Sequence, residues 1–135
     1  MSNTKQVIIL RTKYPCDKTG SKKIRTGKLI AQACHASMSF LTRPIQNHQS
    51  INLQTLDKAS KSWIESGFTK VCVYVESEEE LKSLHEQAIS LGLKSNLIMD
   101  KGLTEFNGVP TLTALAIGPD YSEDIDKVTK ELPLL

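Results

Sequence analysis

Apolar positions along this chain repeat with two periods, and the switches between them divide it into elements. The run KQVIILRT, Lys5 to Thr12, is apolar and β-branched between polar ends and predicts a first strand. Tyr14 to Thr26 carries Pro15, Gly20 and a set of bases, as a loop does. Thr26 or Gly27 is placed to cap a helix running to about Leu41, with Pro44 closing the region and Arg43 to Gln54 following as a loop. Leu53, Leu56, Ser60 and Trp63 share a helical face, which predicts a second helix over Leu53 to Ser66 with Gly67 just past its end. Thr69 to Val75 (TKVCVYV) is apolar without alternation, the pattern of a strand covered on both faces.

Ser77 and Glu80 form a capping box, and Leu81, Leu84, Ala88 and Leu91 then face inward along a helix that stops at Gly92. Lys94 to Asp100 is a third strand, 102–110 a loop, and Thr111 to Ile117 a fourth strand ended by Gly118-Pro119. Ser122 to Lys130 is a short last helix. The order β-α-α-β-α-β-β-α predicts an α/β fold, a three-layer α/β/α sandwich. The short link between the last two strands makes them antiparallel neighbours and the four-stranded sheet mixed.

The first helix, GKLIAQACHASMSF from Gly27 to Phe40, is the least ordinary element. Lys28, Gln32, His35 and Ser39 fall at i, i+4, i+7 and i+11 and draw one polar line along an otherwise apolar helix. Lys28 stands in the first turn, where the helix dipole disfavours a cation by a few tenths of a kcal/mol up to about 1. A rule broken at a helix start marks Lys28 as a candidate anion-stabilising group, and His35 as a second polar group on the same line.

Charge sharpens this. The net charge is only +2, but residues 1–56 hold nine Lys/Arg against one acid, Asp17, so +8, and residues 57–135 hold eight Lys against fourteen Asp/Glu, so −6. Five bases crowd KTGSKKIRTGK, Lys18 to Lys28. A half so basic, with its bases crowded into one loop, predicts a polyanion as partner. The same stretch is no P-loop: Lys22 stands where the first glycine belongs and Leu29 where Ser or Thr belongs.

At 135 residues, with 39% hydrophobic and 24% charged residues, the chain has the size and composition of one globular domain, 1–135. The apolar run Val7 to Leu10 is too short for a secretion signal or a membrane span, so the expected location is cytoplasmic, with no membrane partner. Cys16, Cys34 and Cys72 are odd in number and include no C-x-x-C, against a disulfide scaffold or a zinc knuckle. Cys34 and Cys72 sit in apolar patterns and read as small core residues.

Asp100 ends the third strand in LIMDKGLTEF. Sites in open α/β sheets form at the carboxyl ends of parallel strands. If the first and third strands run parallel, Asp100 and Lys28 meet at one sheet edge, with Thr104 in the following loop and Thr113 on the fourth strand nearby. Such a set has no nucleophile elbow and no cluster of metal ligands. Lysine stabilises an oxyanion, aspartate orients water, and threonine hydroxyls position it, which suits hydrolysis of an activated acyl group such as an ester.

GKLIAQACHASMSF, WIESGFTKVCVYV, LGLKSNLIMDKGLTEF and TLTALAIGPDYSEDIDKVT resemble, in order and spacing, the peptidyl-tRNA hydrolase 2 family over about Lys5 to Leu132. The resemblance implies cleavage of the ester joining peptide to the 3′ ribose of tRNA, without metal or organic cofactor, by a fold that is often a homodimer. Lys28, Asp100, Thr104 and Thr113 match residues implicated in that family's catalysis, His35 matches its helix histidine, and Lys18, Lys22, Lys23, Arg25 and Lys101 would meet tRNA. The chain departs from the family's usual pattern in a longer loop between Arg11 and Gly27, in Lys101 and Leu103, and over Asn107 to Pro110. Two other functions fit the same residues: an RNA-binding or adaptor module without catalysis, and an acyl hydrolase unrelated to RNA.

Overall fold

Six consecutive residues of the first strand, Gln6 to Arg11, are buried, so this strand must lie inside a sheet with both faces covered. The computed structural model describes residues 3–15, 22–102, 106 and 108–135. The first strand is β1 (Thr4–Arg11), and the chain continues through β2 (Lys13–Tyr14), β3 (Lys22–Lys23), α1 (Thr26–Gln46), α2 (Lys58–Ser66), β4 (Lys70–Val75), α3 (Glu78–Ser90), β5 (Ser95–Asp100), β6 (Thr111–Tyr121) and α4 (Ser122–Thr129). The four long strands form a mixed sheet in the order β4-β1-β6-β5. β1 pairs parallel with β4, and β6 pairs antiparallel with both β1 and β5.

Alternation along β1 divides the core. Val7 and Ile9 join Leu81, Leu84 and Ala88 of α3 and Ile125 and Val128 of α4 on one face. Ile8 and Leu10 meet Leu29, Ala33 and Ala36 of α1 on the other. α2 lies beside α1, where Trp63 meets Phe40 edge-on at 5.8 Å between ring centroids. The fold is thus the expected α/β/α sandwich, with the main elements in the expected order.

Several expectations are corrected. α1 runs through Pro44 to Gln46, so Arg43 to Gln46 are helix, not loop. A proline in the final turn removes one intrahelical bond and leaves the turn to close on the amide of Asn47, which donates to the carbonyls of Arg43 and Pro44. The cap position of α1 is Arg25, whose side chain makes no cap bond, and Thr26 is already helical. α2 begins at Lys58 instead of Leu53, because Asp57 accepts from the Ser60 amide and caps the helix there. Leu53 is exposed, in a turn held by Asn52.

A two-residue hairpin, β2 with β3, lies in the expected loop after β1. β4 is an edge strand that alternates, with Val73 and Val75 buried and Cys72 exposed. Cys34 is exposed as well, so neither cysteine is a core residue. Both line an apolar groove between α1 and β4. Cys16 lies outside the described residues. Leu91 is exposed at the end of α3, and Leu93 is buried in its stead. β6 continues four residues beyond Ile117, because Gly118 and Pro119 fall where the register against β1 shifts between Lys5 and Val7. Gly118 has φ +97°, and a Cβ there would meet the Lys5 carbonyl oxygen at 2.7 Å, which only glycine avoids.

Asp57 ties α2 to the sheet: it accepts from the Ser60 amide at 3.2 Å, the Ser60 hydroxyl at 2.6 Å and Lys94 Nζ at 2.8 Å. Asp57→Ala should therefore lower stability by about 1–2 kcal/mol, the usual effect of losing a cap. Urea unfolding of the two proteins checks this, and an unchanged midpoint would show that the cap does not hold α2.

Candidate active site

β1 and β5 both run antiparallel to β6, so they point the same way. The chain leaving β1 and the carboxyl end of β5 therefore reach one end of the sheet, where α1 begins. Ile98 packs against α1, and Asp100, two residues on, shares its face by strand alternation. On α1, Lys28 and Gln32 are one turn apart and look toward that end.

The side chains close on each other. Lys28 Nζ donates to Asp100 Oδ1 at 2.9 Å, with the two side chains only 13% and 15% exposed. Gln32 Nε2 donates to the same oxygen at 3.3 Å, and the Gly102 amide to Oδ2 at 2.8 Å. Gly102 makes that turn with φ +82°, and a Cβ on it would lie 2.4 Å from the Val109 carbonyl oxygen. Glycine is required at this position if the chain is to turn back over the carboxylate.

Thr113 completes the set through a β-bulge. Ile98 pairs with Ala114, but Met99 pairs with Leu112, which leaves Thr113 as the extra residue. Leu112 thereby stays in the α3–α4 core with Leu115, while Ala114 faces α1. Thr113 joins the α1 face too, and its hydroxyl donates to Gln32 Oε1 at 2.5 Å. Regular alternation would have sent this hydroxyl to the opposite face. Thr113 is fully buried and Gln32 is 2% exposed, so the chain Thr113–Gln32–Asp100 works from beneath the surface.

Burial opposes ionisation of Asp100, but the bonds from Lys28, Gly102 and Gln32 and the charge of Lys28 outweigh it and hold the carboxyl below its ordinary value. At neutral pH Asp100 is a carboxylate. Among the described residues two donors meet Oδ1 and one Oδ2, fewer than the roughly four that a carboxylate can accept.

Beside the pair stands an aromatic wall. The Arg11 guanidinium lies 4.3 Å from the centre of the Tyr14 ring, Tyr14 packs on Phe106 at 4.8 Å, and Lys28 Nζ lies 5.9 Å from the Phe106 centroid. Arg11 is itself buried and donates to the carbonyls of Lys13 and Leu112. Burial, above all, pushes the Tyr14 phenol far above its usual range and keeps it neutral.

The structure brings Lys28, Asp100 and Thr113 together as expected. His35 is exposed on the wall of the same cleft, about 10 Å along the helix from Lys28 at roughly 1.5 Å per residue, and no hydrogen bond joins it to the pair among the described residues. Lys101 lines the cleft and Arg25 is exposed at the start of α1. Lys22 and Lys23 form β3. Thr104 and Lys18 lie outside the described residues. Sequence reasoning put Gln32 on the polar line but gave it no task, though its place four residues after Lys28 was the available signal. It missed Arg11, Tyr14 and Phe106, whose meeting depends on the hairpin and on the chain after Gly102.

A depressed carboxyl favours folding while it is ionised. That contribution is complete above the unfolded value of about 4 and is lost as pH falls through the lower folded value. The stability gap between the wild type and Asp100→Asn should thus be constant from neutral pH to about pH 5 and close below it. Urea midpoints across that range check the sign. A gap that widens on acidification would mean that Asp100 is not a stabilised carboxylate.

The model of the family described as peptidyl-tRNA hydrolase PTH2 matches residues 4–135. A peptidyl-tRNA hydrolase of Methanopyrus kandleri is 39% identical over 97% of this chain and 97% of its own length. One from Sulfurisphaera tokodaii is 36% identical over 98% of each. A probable peptidyl-tRNA hydrolase 2 of Dictyostelium discoideum is 33% identical over 99% of this chain, which spans 56% of that protein. With the matched model covering both the helix that carries Lys28 and the strand that ends in Asp100, the chain belongs to the peptidyl-tRNA hydrolase 2 family.

Proposed function

We propose that the protein hydrolyses the ester between the peptide and the 3′ ribose of tRNA in peptidyl-tRNA. The observation that carries this is the 2.9 Å contact of Lys28 with Asp100 in a cleft of about 600 Å3. Membership of the family supports it, as do the peptidyl-tRNA hydrolases that resemble the chain from end to end.

In this reading the ester carbonyl lies against Lys28 at the start of α1, where the ammonium and the helix dipole favour negative charge. Asp100 fixes Lys28 and, with its remaining acceptor site, orients a water toward the acyl carbon. The water oxygen bonds to that carbon, the bond to the 3′ oxygen breaks, and the proton lost by water ends on the ribose. Asp100 is too acidic to remove that proton efficiently at neutral pH, so placement and electrostatics supply the acceleration. Gln32 and Thr113 act as positioning residues, since both are buried and reach the substrate only through Asp100. Thr104 and His35 stand as further candidates, Thr104 for water and His35 for the acyl side.

The tRNA lies toward Arg25 and Lys101, with Lys18, Lys22 and Lys23 as further phosphate contacts. Such contacts are blind to sequence, as an enzyme acting on many tRNAs requires. No helix among the described residues is long and apolar enough to cross a membrane. The cytoplasm, where peptidyl-tRNA arises, is the proposed place of action.

Lys28→Ala and Asp100→Asn should each slow release of tRNA from purified peptidyl-tRNA by about a hundredfold or more, the range for losing a stabiliser of an oxyanion or its support. Both should bind deacylated tRNA as the wild type does. Turnover at the wild-type rate in either variant would remove the assigned roles, and tRNA binding without any cleavage by the wild type would leave an RNA-binding module. Lys101→Ser should weaken tRNA binding uniformly across tRNAs and reduce the slope of log K against log salt by about one. An unchanged slope would take Lys101 off the tRNA path.

A further inference from the structure

The cleft does not end at the catalytic pair. It continues along α1 past His35 and Met38 to Thr42 and Gln46, with Ile98 and Met99 of β5 on its other side. From Lys28 to Gln46 the helix spans about 27 Å, the length of roughly eight residues of extended chain.

We infer that this far part of the cleft holds the peptide of the substrate, with tRNA on the opposite, basic side of Lys28; the assignment rests on the proposed hydrolysis. An ester has an acyl side and an alcohol side. A carbonyl fixed at Lys28 must send one along α1 and the other toward Arg25 and Lys101. The two directions differ in chemistry.

Beyond Lys28 the polar line continues as Gln32, His35, Ser39, Thr42 and Gln46, with no lysine, arginine or carboxylate among them. Ser39 turns inward and donates to the Ala36 carbonyl, which leaves His35, Thr42 and Gln46 to face an occupant. These side chains both donate and accept, as peptide amides require, whereas phosphates recruit Lys and Arg. Among the described residues Arg43 is the one Lys or Arg lining this stretch, and its Nη2 donates to the Leu97 carbonyl on β5. Met38 is 54% exposed on the cleft wall. An exposed, flexible thioether accommodates side chains of different shape, which suits an enzyme that meets many peptides.

The test uses the full chain and one tRNA carrying either an N-acetylated amino acid or peptides of three to five residues. Wild-type kcat/KM should rise about fivefold or more with peptide length, the equivalent of one net hydrogen bond or more. Met38→Glu and Thr42→Ala should each remove most of that rise, with the affinity for deacylated tRNA unchanged and the thermal midpoint close to the wild type's. If either variant weakens deacylated tRNA as much as it slows the reaction, the nucleic acid occupies this stretch and the inference falls. A wild-type rate indifferent to peptide length overturns it too. If the wild type cleaves none of the substrates, the proposed function fails, and the site is judged separately by titrating 3′-peptidylamino-adenosine and adenosine against the His35 ring signal in NMR spectra. A shift with the first compound alone supports a peptide site; no shift, or the same shift with both, excludes it.

Discussion

The fold is organised around one contact, the ammonium of Lys28 held against the carboxylate of Asp100. Neither group sits well alone. Lys28 stands where the helix dipole repels it, and Asp100 is drawn largely out of water, where its ionised form is disfavoured. Each removes the other's penalty. Removing one partner leaves a desolvated charge uncompensated, so the pair either stands together or disturbs the loop and helix around it. The contact forms because β6 runs antiparallel to both β1 and β5, so that those two strands point the same way and bring the start of α1 and the end of β5 to one end of the sheet.

Two backbone irregularities tune this contact. The bulge at Thr113 turns a hydroxyl toward α1 without moving Leu112 out of the opposite core. The positive φ of Gly102 aims an amide at Asp100 Oδ2. In a regular ladder one of the two cores would lose its residue or the carboxylate would lose its support. The bulge and the left-handed glycine beside the candidate site have one feature in common: the regular backbone pattern is given up where a group must point against it.

Much of this was legible in the sequence, and the reasons for success and failure are physical. β1 is a short run rich in β-branched residues, and the capping box at Ser77 marks the start of α3, since each of these signals is local. Lys28 stood out because it breaks a local rule, and Asp100 because it ends a strand before glycine. Local signals failed where position in the sheet decides. The apolar run with Cys72 reads as doubly covered, but it forms an edge strand whose α1-side face opens on a groove. Pro44 reads as a stop, yet a proline in a last turn removes only one bond. Gln32 could not be given a task without knowing that Thr113 is bulged toward it, a fact of register that no single strand contains.

The electrostatics of the pair also bear on which bond it is fit to cleave. Asp100, held below the ordinary carboxyl value by three donors, is a poor proton acceptor at neutral pH. A general base gains most when its pKa lies near the working pH, and this arrangement moves the other way. What the donors provide instead is a fixed negative charge that locks Lys28 and, in the proposed reaction, would orient water, a contribution that stays constant across neutral pH. Such a site serves a substrate that is already activated. The ribose ester of peptidyl-tRNA has a far better leaving group than an amide, so the protein need not assist departure with a strong acid. A carboxylate held below its ordinary value beside a lysine would be a handicap for a peptidase, and it is sufficient for an esterase whose transition state mainly needs a positive charge in the right place.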